Sequence, residues 1–304
     1  MMRRHAFTMI ELVFVIVIMG ILSKFGIEFL VQAYHNYIFS KINNELQANA
    51  EMAVETIAAR LQFRIKDSVI ARKSSDNTFE AIQSASGDDY DILEWVGSDE
   101  EGFRGDLNAT PILPNWSGII DLDDSNATLL SSPETNTTAE NDLIKILSHN
   151  GSDINDSALY FIGSNSNKNK YGWNIPHAAF TDQSKAMHPI KTDTNRSIFI
   201  PKVGTFSGED VYEYYKLAWT AYAVGIDDWN ATGNNTGTLK LWYDYQPWNG
   251  ENYNSTNTKV AIIMQNVSTF KFRAIGSVMK IQVCVKSDLV EDEKYSLCKE
   301  KTVF

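Results

Sequence analysis

Few side chains in this sequence stand where they could do chemistry, and Glu11 is the first. It is the one charge in an apolar run from Phe7 to Ser23, which follows a short basic head, Arg3-Arg4-His5, and a small residue, Ala6. An ionised carboxylate in hydrocarbon costs several kcal/mol, so it is kept only with a partner or a function. The order of the parts is also informative. In a secretory signal the small-residue cleavage site follows the apolar core, and the core is discarded. Here the small residue comes first. A cut between Ala6 and Phe7 would leave the apolar helix on the chain and create an amino group on Phe7. That amine would lie one helical turn from Glu11, or against Glu11 of a neighbouring helix, and it is the candidate counter-charge.

The remaining candidates are weaker. Cys284 and Cys298 are the two cysteines. Outside the cytoplasm they are expected to form a disulfide closing a loop of about fifteen residues, which contributes roughly 3 kcal/mol in the loop-entropy account. Asp121, Asp123 and Asp124 alternate oxygen ligands in the manner calcium prefers, but without the glycine and distal acid of an EF-hand loop. Asp227-Asp228 is a second acidic pair. Five histidines are scattered without metal-ligand spacing; His177 and His188 flank a polar loop and read as solvated. Trp116, Trp173, Trp229 and Trp248 lie in loop-like sequence, where packing is favoured over sugar or partner binding. No Gly-x-Ser-x-Gly, phosphate loop or nucleotide fingerprint occurs. No enzyme activity and no cofactor other than calcium is therefore expected. The net charge is −11, and losing Arg3 and Arg4 makes it −13. Such a balance argues against nucleic-acid binding, which needs a basic footprint.

These residues need elements to hold them. Residues 7–31 are long enough to span a bilayer as a helix, and the basic head favours an N-terminus kept inside with the remainder exported. No proline or glycine interrupts residues 32–72. Within them Leu46, Ala50, Val54, Ile57, Leu61, Ile65 and Val69 step by three or four, which predicts an amphipathic continuation of the same helix through Arg72. Residues 73–209 are rich in Asn, Ser, Asp, Gly and Thr and read as an irregular insertion with short strands and a short helix over 142–148 capped by Asn141. Residues 210–304 carry stronger strand signals. Leu239, Leu241, Tyr243 and Tyr245 alternate, and Val260–Met264 and Val267–Phe272 read as separate apolar strands. Val278–Val285 alternates Met279, Ile281, Val283 and Val285 against Lys280 and Gln282, forming a hairpin with one buried face. A tail from Tyr295 to Phe304 is expected to return beside Cys284. The fold class is α+β: a long N-terminal helix packed on an antiparallel sheet, with residues 73–304 as the exported head.

The N-terminal pattern resembles the prepilin leader of type IV pilins and type II secretion pseudopilins. Arg3-Arg4-His5-Ala6, then Phe7-Thr8-Met9-Ile10-Glu11-Leu12, then Val13–Leu22 carry the resemblance. Two departures are Ala6, where the family usually has glycine, and the lack of a helix proline, with Gly20 and Gly26 instead. The resemblance implies residues 1–6 as a leader, cleavage before Phe7 with N-methylation of it by a prepilin peptidase, and Glu11 as the docking charge of assembly. It also implies a single-pass inner-membrane protein with a periplasmic head, later part of a filament. Its partners would be other pilins or pseudopilins, an assembly platform protein and ATPase machinery, and lipid along 7–31. The size of the head favours a minor, initiating or tip subunit. A membrane-anchored exported binding protein or adhesin is the alternative.

Overall fold

The computed structural model describes residues 8–87, 89–105, 111–165, 167–206, 210–232, 235–287 and 296–304. Helix α1 runs Met9–Leu61 and is followed by strands β1 (Ile70–Arg72), β2 (Phe79–Ala81) and β3 (Ile92–Val96). Next come α2 (Glu100–Arg104), β4 (Asp121–Asn126), β5 (Leu129–Ser131) and α3 (Thr137–Leu147). Strands β6 (Ala158–Phe161), β7 (Met187–Thr192), β8 (Ile198–Pro201) and β9 (Tyr215–Ala218) complete the middle of the chain. The last five strands are β10 (Ala221–Asn230), β11 (Thr236–Tyr243), β12 (Lys259–Ile275), β13 (Val278–Lys286) and β14 (Ser296–Val303).

The strands form two antiparallel sheets. One has eight strands in the order β14-β13-β12-β11-β10-β3-β1-β2; the other has six, β4-β5-β8-β7-β6-β9. Helix α1 lies on one face of the large sheet. Ala50, Ala53, Val54, Ile57 and Leu61 pack there against Leu93, Trp95, Val224, Phe270, Ile281 and Val283. The opposite face carries Ile70, Ile92, Val96, Ala221, Ala223 and Trp242, and the six-stranded sheet covers it with Ala158, Tyr160, Met187 and Ala218. The large sheet is thus a middle layer, which explains why β3 is buried at all five positions. The small sheet curls until its edges meet. The Ile120 N–H bonds the Glu213 carbonyl at 2.7 Å, and the Tyr215 N–H bonds the Gly118 carbonyl at 3.0 Å. These bonds join the approach to β4 onto β9. Leu130, Leu159, Phe161, Ile190, Phe199 and Leu217 fill the interior of this small barrel.

Several expectations are corrected. The helix stops at Leu61, not Arg72. Ile65 and Val69 are core residues as foreseen, but from a 3-10 turn and its flanks. With no glycine or proline to end α1, tertiary bonds do so. Arg64 Nη1 donates to the Leu61 carbonyl at 2.8 Å, while the Ile65 N–H turns to the Val96 carbonyl at 2.9 Å. Residues 73–209 hold the expected short strands and helix, but these join larger sheets: β2 and β3 enter the large sheet and β4–β8 the barrel, whose strand β9 lies beyond residue 209. Helix α3 starts earlier than expected, because Asn136 rather than Asn141 caps it, accepting from the Ala139 N–H at 3.2 Å. The segments 260–264 and 267–272 are one strand with register shifts. Leu239, Leu241 and Tyr243 do share the helix-side face. Tyr245 crosses to the barrel side because Asp244, at φ 61°, reverses the pleat. Trp116, Trp173 and Trp248 are buried, and only Trp229 of that group is exposed.

His188 is not a solvated loop residue either. It lies fully buried on β7 between Phe161 and Phe206, and neither ring nitrogen has a hydrogen-bond partner. Burial holds its pKa down at about 4. The unfolded chain, with an ordinary imidazole near 6.5, then binds the extra proton between these values. Stability from this residue is present above about pH 6.5 and is lost as pH falls toward 4, by roughly 3 kcal/mol. Denaturant titrations at pH 7 and pH 4.5 should show that loss, and His188→Leu should remove most of it.

Candidate functional site

The N-terminus of α1 begins with a reciprocal cap. Thr8 is extended at φ −75° and ψ 152°, and the Glu11 N–H reaches its hydroxyl at 3.4 Å. In return Glu11 Oε2 accepts the Thr8 N–H at 2.9 Å and the Thr8 hydroxyl at 2.8 Å. Thr8-x-x-Glu11 is a capping box, visible in the sequence as a threonine followed three residues later by glutamate. The carboxylate is therefore aimed at the very start of the helix. Ala6 and Phe7 themselves, and with them the cleavage position, lie outside the described residues.

Beyond the cap, every residue from Thr8 to Tyr37 is exposed. The exposed set includes Phe14, Ile16, Leu22, Phe25, Phe29 and Leu30. The first side chain of α1 to be buried is Ile42. At 1.5 Å per residue, about 50 Å of bare helix projects from the head. An apolar window in this stretch is long and hydrophobic enough to cross a membrane, and none of it is buried. A polar i,i+4 pair, Lys24–Glu28 at 3.9 Å, marks its later part.

The seat of the helix is the C-terminal hairpin, whose apolar face was expected to receive it, while the ion pairs that register it there were not foreseen. Lys299 Nζ reaches Glu51 at 2.9 Å, and Lys301 Nζ reaches Glu55 at 2.5 Å. Two residues along a strand match four along a helix, so alternate lysines of β14 meet successive turns of α1. Both pairs are partly exposed, which limits each to a fraction of a kcal/mol. Strand β14 is in turn joined to β13 by Cys284–Cys298, which sit directly opposite in register with Cα atoms 4.0 Å apart. The expected disulfide and returning strand are present from Ser296; Tyr295 lies outside the described residues.

The acidic candidates do not converge. Asp121 Oδ1 accepts the backbone N–H groups of Asp123 and Asp124 at 3.1 and 3.3 Å, while both of those side chains are exposed. Asp227 and Asp228 share Lys240, at 2.8 and 2.7 Å. Among the described residues no group of three or more His, Cys, Asp or Glu could hold a metal.

Buried charged pairs had no sequence forecast. Arg72 on β1 and Glu94 on β3 pair in the layer between the large sheet and the barrel, both nearly inaccessible, with Nε–Oε1 and Nη2–Oε2 each 3.0 Å. Asp99 and Glu140 form another. An acid inside the apolar run Ile92-Leu93-Glu94-Trp95-Val96 was the available signal for the first.

Residues 1–23 match the family model described as the prokaryotic N-terminal methylation motif. No curated protein and no solved structure matches the chain. The motif and the long apolar helix together support the type IV pilin and pseudopilin family.

Proposed function

We propose that this chain is a minor subunit of a type IV pilus or type II secretion pseudopilus, built in through α1. A prepilin peptidase cuts between Ala6 and Phe7 and methylates the new amine. The chain waits in the inner membrane with its head in the periplasm. On assembly Glu11 neutralises the N-terminal amine of a neighbouring subunit inside a bundle of apolar helices. The observation carrying this reading is the combination of the methylation motif with an apolar helix left wholly bare by its own head. A structure that buries a helix for its own stability would cover at least one face of it.

The place in the filament follows from bulk. The head carries a barrel layer on the sheet face opposite the helix. Shaft subunits packed side by side in large numbers favour a small head, whereas an initiating or tip position leaves room for this one. The test is N-terminal mass spectrometry of the chain recovered from membranes. A start at N-methyl-Phe7 is expected; an intact Met1, or a start at Tyr34 from a secretory-type cut after the small residue Ala33, overturns the proposal.

A further inference from the structure

Asp99, the N-cap residue of α2, and Glu140, on the core face of α3, are 2% and 0% exposed. Glu140 shares its helix face with Thr137 and Ile144, at a position where an amphipathic helix would normally present an apolar side chain. The two carboxyl groups meet over Gly102. A Cβ built on that glycine would lie 2.0 Å from Asp99 Oδ2 and 2.1 Å from Glu140 Oε2. Around them, Trp116 Nε1 donates to Asp99 Oδ2 at 2.7 Å and Asn115 Nδ2 donates to Glu140 Oε2 at 3.3 Å. The other two oxygens, Asp99 Oδ1 and Glu140 Oε1, are buried with no hydrogen-bond partner among the described residues.

The charged and titratable groups facing the pair do not neutralise it. Glu101 of α2 adds a like charge, and Arg60 of α1 is committed to Glu101 at 2.6 Å. Tyr222 of β10 is kept neutral by its burial, which pushes its hydroxyl well above the usual phenol range. Among the described residues, the segment before α3 contributes Asn115 and Trp116. Two ionised carboxylates this close and this dry cannot coexist.

We infer that Asp99 and Glu140 share one proton, and that this proton is the latch holding α3 against α2. The hydrogen bond between the groups needs a donor, and the retained proton supplies it. Loss of the proton leaves two adjacent buried anions, and the cheapest relief is for α3 to lift away. Burial raises the pKa of both groups, that of Glu140 furthest, in the same direction as the geometry. A group whose folded pKa is raised loses its stabilising effect as pH rises, so the latch weakens on the alkaline side.

The test is hydrogen-exchange mass spectrometry of the peptide covering α3, on the full chain in detergent micelles and corrected for intrinsic exchange. In the wild type the opening equilibrium should rise by up to tenfold per pH unit, from pH 5.5 to the pH at which the pair loses its proton. Glu140→Gln supplies an amide donor in place of the proton, so its opening should be flat over that range; Asp99→Asn should behave likewise. Equal slopes in wild type and both variants overturn the proposal. Independently of any variant, infrared spectra of the wild type at pH 7 should hold a carbonyl stretch of an un-ionised carboxylic acid. Its absence would equally overturn it.

Discussion

Glu11→Ala is expected to leave the chain in the membrane and to remove it from the filament. The helix has ample apolar length without Glu11, and replacing a charge with a methyl group only eases insertion. Assembly is different. In the proposed bundle the incoming glutamate neutralises a neighbour's amine, and a buried charge left alone costs about 3–5 kcal/mol. That range corresponds to a drop of about two to three and a half decades in incorporation. Co-purification of the variant with sheared filaments, against its amount in membranes, measures the ratio. The capping geometry adds a control that the alanine variant lacks. Glu11→Gln keeps an oxygen that can accept from the Thr8 N–H and hydroxyl, so the helix start survives while the charge is lost. Incorporation should fail as badly as with alanine. Thr8→Ala should cost only about 1 kcal/mol of helix start and leave incorporation largely intact. If Glu11→Gln assembles normally while Thr8→Ala does not, Glu11 serves as a cap and the docking role is wrong.

Glu94→Ala is expected to be the most damaging single change in the head. Arg72 and Glu94 are each 1% exposed and joined by two parallel 3.0 Å bonds. The remaining guanidinium nitrogen, Nη1, donates to the Asn77 carbonyl at 2.9 Å, and the guanidinium lies 5.3 Å from the centroid of the Phe79 ring. Deleting the carboxylate leaves a buried guanidinium without its counter-charge, at a cost of about 3–5 kcal/mol. Equilibrium denaturation of the full chain in detergent should show it. The double variant Arg72→Met with Glu94→Leu removes both charges and should recover most of the loss. A double variant as unstable as Glu94→Ala would mean that the loss comes from packing rather than from the orphaned charge.

How far the fold could be read from the sequence depended on how local its causes were. Val278–Val285 obeyed simple alternation because one face is buried and the other is wet, and Met279, Ile281, Val283 and Val285 do share the helix-side core. The start of α1 was legible for the same reason, since Thr8-x-x-Glu11 acts over one turn. Its end was not. Ile65 and Val69 keep helical spacing, and the chain leaves the helix only because Val96, far along the sequence, offers the Ile65 N–H a better carbonyl. The barrel was hidden by its strands. Strands such as β5 and β8, of three and four residues, are too short to show a period, and the barrel closes through bonds between residues 118–120 and 213–215. Glu94 was conspicuous, but its partner Arg72 had been assigned to the last turn of a helix. Of the candidate site, Glu11 and the cysteine pair were legible. The apolar seat of α1 was legible too, but its ion pairs were not, since Glu51 and Glu55 look like an ordinary wet helix face until β14 is laid beside them.

The ladder that joins Glu51 and Glu55 to Lys299 and Lys301 has a mechanical consequence. Both series ascend together, so stem and terminal strand lie side by side and point the same way. A pull on the stem along its own axis therefore drags β14 lengthwise. Its eight cross-strand pairs with β13 then bear the load in shear, all at once, rather than opening one after another from an end. The covalent bond between Cys284 and Cys298 sets a stop on that sliding. Traction on the stem is thus passed lengthwise into the edge of the large sheet.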